Sequence, residues 1–322
     1  MRFVTIAGAA VLALAPFTSV LAEDSDRVGD LLRTIKKARL IDLSHNWEIT
    51  SPVAAVNPFY SFALSATHGN TRGTFGPFGE DPVGQLSFTA EVQHFSGQHG
   101  APSIDAIGHI GREGKLFGGV DAAAATSNPN GIGASGFGAN LAIDKFPSDL
   151  LINRGVLLDV ATLVRGDSRP LPADFEISSE HLRQAAAHQR VKLKKGDTVF
   201  IRTGWGQYFK GGEAIYNGMF SPGPGLDAAK YLIDNGARVV GDDTLTFEKR
   251  PPLAVADGKT QVFPVHMRVI ADSGIFIIEN LNLEELAKAK AYEFVVVVPP
   301  LRILGGTGSA LRVLALVPRD DD

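Results

Sequence analysis

Short, almost unbroken apolar runs recur through the second half of the chain, at residues 155–160 (GVLLDV), 198–201 (TVFI), 239–240, 275–278, 294–298 and 311–317. Such runs predict β-strands, several of them buried on both faces. Between them, apolar positions return at helical spacing over residues 179–190, 226–235 and 283–290, and these segments predict helices. Ser179 offers a capping hydroxyl at one start, and Gly236 a stop after Asn235. Nearer the N-terminus, Val28, Leu31, Leu32 and Ile35 mark an amphipathic helix within residues 24–38, and strands are predicted over 40–44 and 86–94. Two segments carry no period. Residues 51–82, rich in Gly, Pro, Phe and Thr, read as a loop that shapes a pocket, and residues 111–138, rich in Gly and Ala, read as a second. Strands interleaved with helices, without repeat, charge run or linker, predict an α/β chain: a single domain with a mixed β-sheet flanked by helices.

The first 22 residues, MRFVTIAGAAVLALAPFTSVLA, set one Arg ahead of an apolar run that ends on small residues. That is the layout of a secretory signal peptide, with cleavage after Ala22 and residues 23–322 left as the mature domain. The apolar core from Phe3 to Phe17 is shorter than the roughly 20 residues of a bilayer span. A secreted or periplasmic protein, free of the membrane once the leader is removed, is therefore expected. With 31 Lys and Arg against 35 Asp and Glu, no concentrated positive field exists for nucleic acid. Cysteine is absent, so any metal must be held by imidazole and carboxylate.

Residues 98–111 (QHGAPSIDAIGHIG) hold His99, Asp105 and His109 at separations of six and four. Even separations let an extended chain turn all three to one side, with a bend at Pro102. Such a cluster suits a divalent cation, although single histidines also serve as core or surface residues. A second pair lies far downstream, with His266 thirteen residues before Glu279. Glu279 directly follows Ile275, Phe276, Ile277 and Ile278, a context predicted to be buried, where an unpaired carboxylate costs several kcal/mol. A metal ion removes that cost; an exit to solvent or a pairing with Arg268 or Arg302 is the alternative. Trp47, Phe59, Tyr60 and Trp205 are candidates for an aromatic substrate pocket or for the core. Arg202 and Thr203 are candidates for a substrate carboxylate or for a structural role after the 198–201 strand. His45 is read as ordering a hydrogen-bond network. Residues 305–309 (GGTGS) lack the Lys of a phosphate loop and read as a turn near the site.

Taken in order, residues 41–45 (IDLSH), the 99–109 cluster, 196–205 (GDTVFIRTGW), 240–244 (VGDDT), His266 with Glu279, and GGTGS resemble the cyclase-type metal hydrolases that include bacterial kynurenine formamidase and isatin hydrolase. The resemblance spans most of the mature chain and implies the swivelling β/α fold of that family. Against the pattern His-x-Gly-Thr-His-x-Asp-x-x-x-His, it implies His99 as first ligand, Asp105 as metal-bridging carboxylate and His109 as proton donor and acceptor. His266 is implied as a later ligand and Glu279 as a second bridging carboxylate. The chain departs in the middle of the motif, with Ala101 and Pro102 for Gly-Thr and Ser103 for the second His. That departure argues against a full two-metal site and for one Zn²⁺ or Mn²⁺ held by Asp105, His266 and Glu279, with His99 as a further candidate. The implied activity is hydrolysis of a small cyclic or N-acyl amide. A lactone or ester hydrolase, or a periplasmic binding homologue without turnover, is the alternative. Assembly as a dimer or tetramer is implied in the same way.

Overall fold

The computed structural model describes residues 18–52, 54, 57–73, 79, 83–98, 100–210, 214–256 and 258–319. Two compact units are distinguished among the described residues, 18–39 with 318–319, and Leu40–Val317. In the first, the helix Thr18–Lys37 contains the expected amphipathic stretch, with Val28, Leu31, Leu32 and Ile35 exposed. Residues 1–17 of the expected leader lie outside the described residues. Among the described residues no helix is long and apolar enough to cross a membrane.

The larger unit is built on one mixed sheet. Its strands among the described residues are β1 (Arg39–Asp42), β2 (Ser103–Asp105), β3 (Ile152–Asp159), β4 (Thr198–Arg202), β5 (Val239–Asp242), β6 (Phe276–Glu279), β7 (Glu293–Val297), β8 (Gly308–Ala310) and β9 (Leu314–Val317). They lie in the order β1-β9-β7-β3-β4-β5-β6-β2-β8. The four central strands β3 to β6 run parallel, and β2 and β7 flank them antiparallel. Alternation along each strand divides the apolar runs between two cores. Val156, Leu158, Val199, Ile201, Val240 and Ile277 pack under the helices Ser179–His188 and Leu226–Asp234. Leu157, Phe200, Val239 and Ile278 pack on the opposite face with Ile41, Leu43, Leu286 and Phe294. Burial on both faces explains why these strands read as continuous apolar runs.

Residues 51–82 are not the uniform loop that the sequence predicts. A strand at Ser61–Ala66 pairs antiparallel with Ala90–His94, and a helical turn follows at His68–Thr71. The partner falls within the strand expected over 86–94, whereas Phe62 and Leu64 stay 46% and 49% exposed, so the first strand has no buried face to impose a readable alternation. The 111–138 segment is closer to expectation, holding only two-residue strands, a short helix at Ala122–Ala125 and turns.

Candidate metal centre

Asp105 ends β2 and Glu279 ends β6. The register pairs Asp105 with Ile277 and Ser103 with Glu279. Paired residues share a face and alternate residues return to it, so Ser103, Asp105 and Glu279 all lie on the face where Ile277 packs. That face is closed by the helical segment Pro264–His266, which continues as a π-helical turn, Met267–Ala271. The segment presents His266 to the two carboxylates. Its Nε2 lies 3.3 Å from a Glu279 carboxylate oxygen and 3.7 Å from one of Asp105. One ligand atom from each of the three residues falls within 4.8 Å of the others, and all three residues are buried.

His109 reaches this centre by a turn. The extended run expected from the even spacing ends at Asp105, and His109 N–H donates to the Ala106 carbonyl at 3.0 Å. The turn carries His109 back so that its Nε2 is 3.9 Å from Asp105, with its side chain 23% exposed toward solvent. Gly108 lies in this turn, where a Cβ would crowd the tip of the Ile132 side chain at 2.2 Å and the Leu141 carbonyl at 3.1 Å. His99 lies outside the described residues. The GGTGS turn adjoins the centre, as expected, with Gly308 paired to Asp105.

A residue that sequence reasoning passed over completes the arrangement. Glu248, 2% exposed, lies 2.7 Å from His266 Nδ1 and accepts the backbone N–H groups of Val265 and His266 at 3.1 and 2.9 Å. Its signal was available, because Glu248 follows the VGDDT segment at the carboxyl end of a parallel strand, where α/β sites gather. Burial alone would lower the His266 pKa, but its hydrogen bonds to Glu248 and Glu279 and their charges outweigh that and raise it to about 10. Burial, then the charge of Asp243, pushes the nearby Asp242 carboxyl well above its usual range, and Glu279 adds to that push. Five carboxylates thus lie within the protein here, Asp105, Asp242, Asp243, Glu248 and Glu279, each 2% exposed or less. The donor set fits a divalent cation: hard carboxylate oxygens, one imidazole nitrogen and a field that favours positive charge.

The backbone is bent beside three of these residues. Phe247 before Glu248, Phe263 before the His266 segment and Asn280 after Glu279 have φ of 50°, 53° and 60°. Non-glycine residues held there cost on the order of 1 kcal/mol or more each and gather at functional sites.

The aromatic candidates separate. Trp205 is 2% exposed, in a buried cluster with Phe209, Tyr216 and Ala101. Trp47 stands edge-on to Tyr60 and Phe95, and with Gln93 these rings line a cavity of about 460 Å³. Phe59 is 73% exposed and does not line it. Trp47 also presses on Gly100, where a Cβ would lie 2.1 Å from the indole, which ties the cavity wall to the segment leading into β2. Arg202 and Thr203 are spent on structure, with Arg202 fully buried against Asp159 and Glu284 and the Thr203 hydroxyl donating to Asp243.

His45 stacks on Phe209 at 4.0 Å. Burial lowers its pKa from 6.5 to about 4, opposed by a backbone hydrogen bond at Leu281. The unfolded chain therefore takes up a proton that the native ring refuses, and stability falls as pH drops from 6.5 toward about 4. His45→Phe, which keeps the stack, is expected to flatten that fall in urea midpoints measured across this range. An unchanged slope would refute the assignment.

The model of the Cyclase family matches residues 41–249, well over half of the chain. The chain belongs to the Cyclase family. His266 and Glu279 come to the centre from beyond the matched segment. Isatin hydrolase of Roseibium aggregatum is 30% identical over 156 residues, 45% of this chain and 54% of the relative, so the match spans about half of that relative's length. The crystal structure of a novel cyclase superposes at a TM-score of 0.73 and 26% identity, over 90% of this chain and 92% of that one. Isatin hydrolase A from Labrenzia aggregata, bound to benzyl benzoate, superposes at 0.64 and 20% identity, over 92% of this chain and all of that one. This last likeness is one of fold.

Proposed function

We propose that this Cyclase-family chain is a metal-dependent hydrolase that opens the C–N bond of a small cyclic or N-acyl amide. The observation that carries the reading is the buried convergence of Asp105, His266 and Glu279 within 4.8 Å. These three would hold one Zn²⁺ or Mn²⁺. When bound, such an ion polarises the substrate carbonyl and makes water acidic enough to attack near neutral pH. His109, with its Nε2 3.9 Å from Asp105 and its side chain partly exposed, would take the proton from the attacking water and return it to the leaving nitrogen. One water is consumed, the C–N bond breaks, and a carboxylic acid and an amine result. The cavity of Trp47, Tyr60 and Phe95 would receive the apolar part of the substrate. Export to the periplasm or beyond is part of the same proposal and rests on residues 1–22; assembly as a dimer or tetramer rests on family resemblance.

The test is turnover of isatin, N-formylkynurenine and a simple lactone by the full mature chain at controlled Mn²⁺ and Zn²⁺. Amide opening is expected, reduced about 10²-fold or more in His109→Ala with the metal still bound. Turnover of the lactone alone would move the reading to ester hydrolysis. Binding without turnover of any of the three would make the chain a binding protein.

A further inference from the structure

We propose that Glu248 is a positioning residue of the metal centre, setting which nitrogen of His266 is free to coordinate; the inference rests on the metal-dependent reading above. His266 offers two ring nitrogens, and a neutral imidazole donates from one and coordinates through the other. The Glu248 carboxylate, already accepting backbone N–H groups, can only accept at Nδ1, 2.7 Å away, so the nitrogen that gives up its hydrogen to a metal is Nε2, which faces Glu279 and Asp105. The same carboxylate is fixed by two backbone N–H groups at the start of the His266 segment, so ring orientation and helix placement are set from one point. Partners of this kind orient a coordinating imidazole and raise its basicity. Glu248 and His266 are eighteen residues apart, across the hairpin Leu253–Ala256 and Lys259–Val262, and left-handed residues, Phe247 and Phe263, turn the chain shortly before each.

The competing account is that Glu248 only caps a helical segment. Glu248→Gln separates the two, because its amide oxygen, in the place of Oε1, still accepts from the His266 N–H and from Nδ1–H while the charge is lost and only the Val265 N–H gives up its acceptor. Zn²⁺ affinity of the full mature chain, measured by chelator competition, is expected to fall 10- to 100-fold in Glu248→Gln, in a variant that still unfolds cooperatively in urea, at a lower midpoint because the Val265 N–H loses its acceptor. Wild-type affinity in the folded variant would overturn the inference and leave the metal reading standing. Absence of Zn²⁺ binding by the wild type would overturn both. Ring ¹⁵N shifts of wild-type His266 with Zn²⁺ bound, assigned against His266→Asn, provide a readout that needs no stable Glu248 variant. The Nδ1–H tautomer is expected, and the Nε2–H tautomer would overturn the proposal.

Discussion

Replacing Asp105 with alanine is expected to remove metal binding and to lower hydrolysis on the order of 10³-fold or more, since a bound divalent ion supplies several kcal/mol of transition-state stabilisation. The size of the effect follows from position. Asp105 sits at the end of a buried strand, paired on one side with Ile277 and on the other with Gly308, and faces His266 and Glu279. No exposed side chain can substitute for it from that depth. The fold should survive, because the side chain faces a polar centre and its strand partners are unchanged. A variant that folds, binds metal and turns over substrate at the wild-type rate would contradict this assignment.

The second large effect is on stability. Arg202 is fully buried, donates in a fork to both oxygens of Glu284 at 2.9 Å, and donates to Asp159 at 3.0 Å and to the Ser168 carbonyl at 2.7 Å. Asp159 in turn caps the helix Val160–Arg165. Arg202→Met leaves the buried Asp159 carboxylate without its cation, and removing one member of such a pair costs about 3–5 kcal/mol. Against a total stability of about 5–15 kcal/mol, that loss is large. Arg202→Lys should recover little of it, because an ammonium cannot reproduce the planar fork. Urea unfolding measures the effect. If Arg202 instead served a substrate carboxylate, the variants would raise KM and leave the urea midpoint in place.

The parts of the fold that the sequence announces are those where burial repeats along the chain. The central strands stand out because Val156 to Leu158, Val199 to Ile201 and Phe276 to Ile278 are buried on alternating faces without a polar interruption. The helix Ser179–His188 stands out for the opposite reason, one buried stripe of Leu182, Ala185 and Ala186, though its cap is Ser178, one residue earlier than expected. The hairpin at Ser61–Ala66 was illegible because its Phe and Leu side chains remain exposed, so composition resembles that of a loop.

The centre divides along the same line. Glu279 betrays itself locally, as a carboxylate closing an apolar strand, and the structure places it there at 1% exposure. Asp105 and His266 were reached through the family pattern, since nothing in their immediate neighbours states that β2 and the 264–271 segment meet. Glu248 was missed because its hydrogen bonds to Val265 and His266 cross seventeen and eighteen residues of chain, a distance no local spacing rule covers, and its place after a parallel strand was the one signal left. His109 lies beside Asp105 by another geometry than the even spacing suggests, a turn through residues 106–109 doing what an extended strand was expected to do. Ser103 keeps its informative place: it faces the centre directly opposite Glu279, where a hydroxyl contributes far less to a divalent ion than an imidazole.

The central claim is a single metal site made by Asp105, His266 and Glu279. Equilibrium binding of Zn²⁺ and of Mn²⁺ to the metal-free protein, with ion content counted per chain at saturation, tests it most directly. One ion per chain in the wild type and none in Asp105→Ala is the predicted result. Two tightly held ions, no ion, or one ion that persists in Asp105→Ala would contradict it.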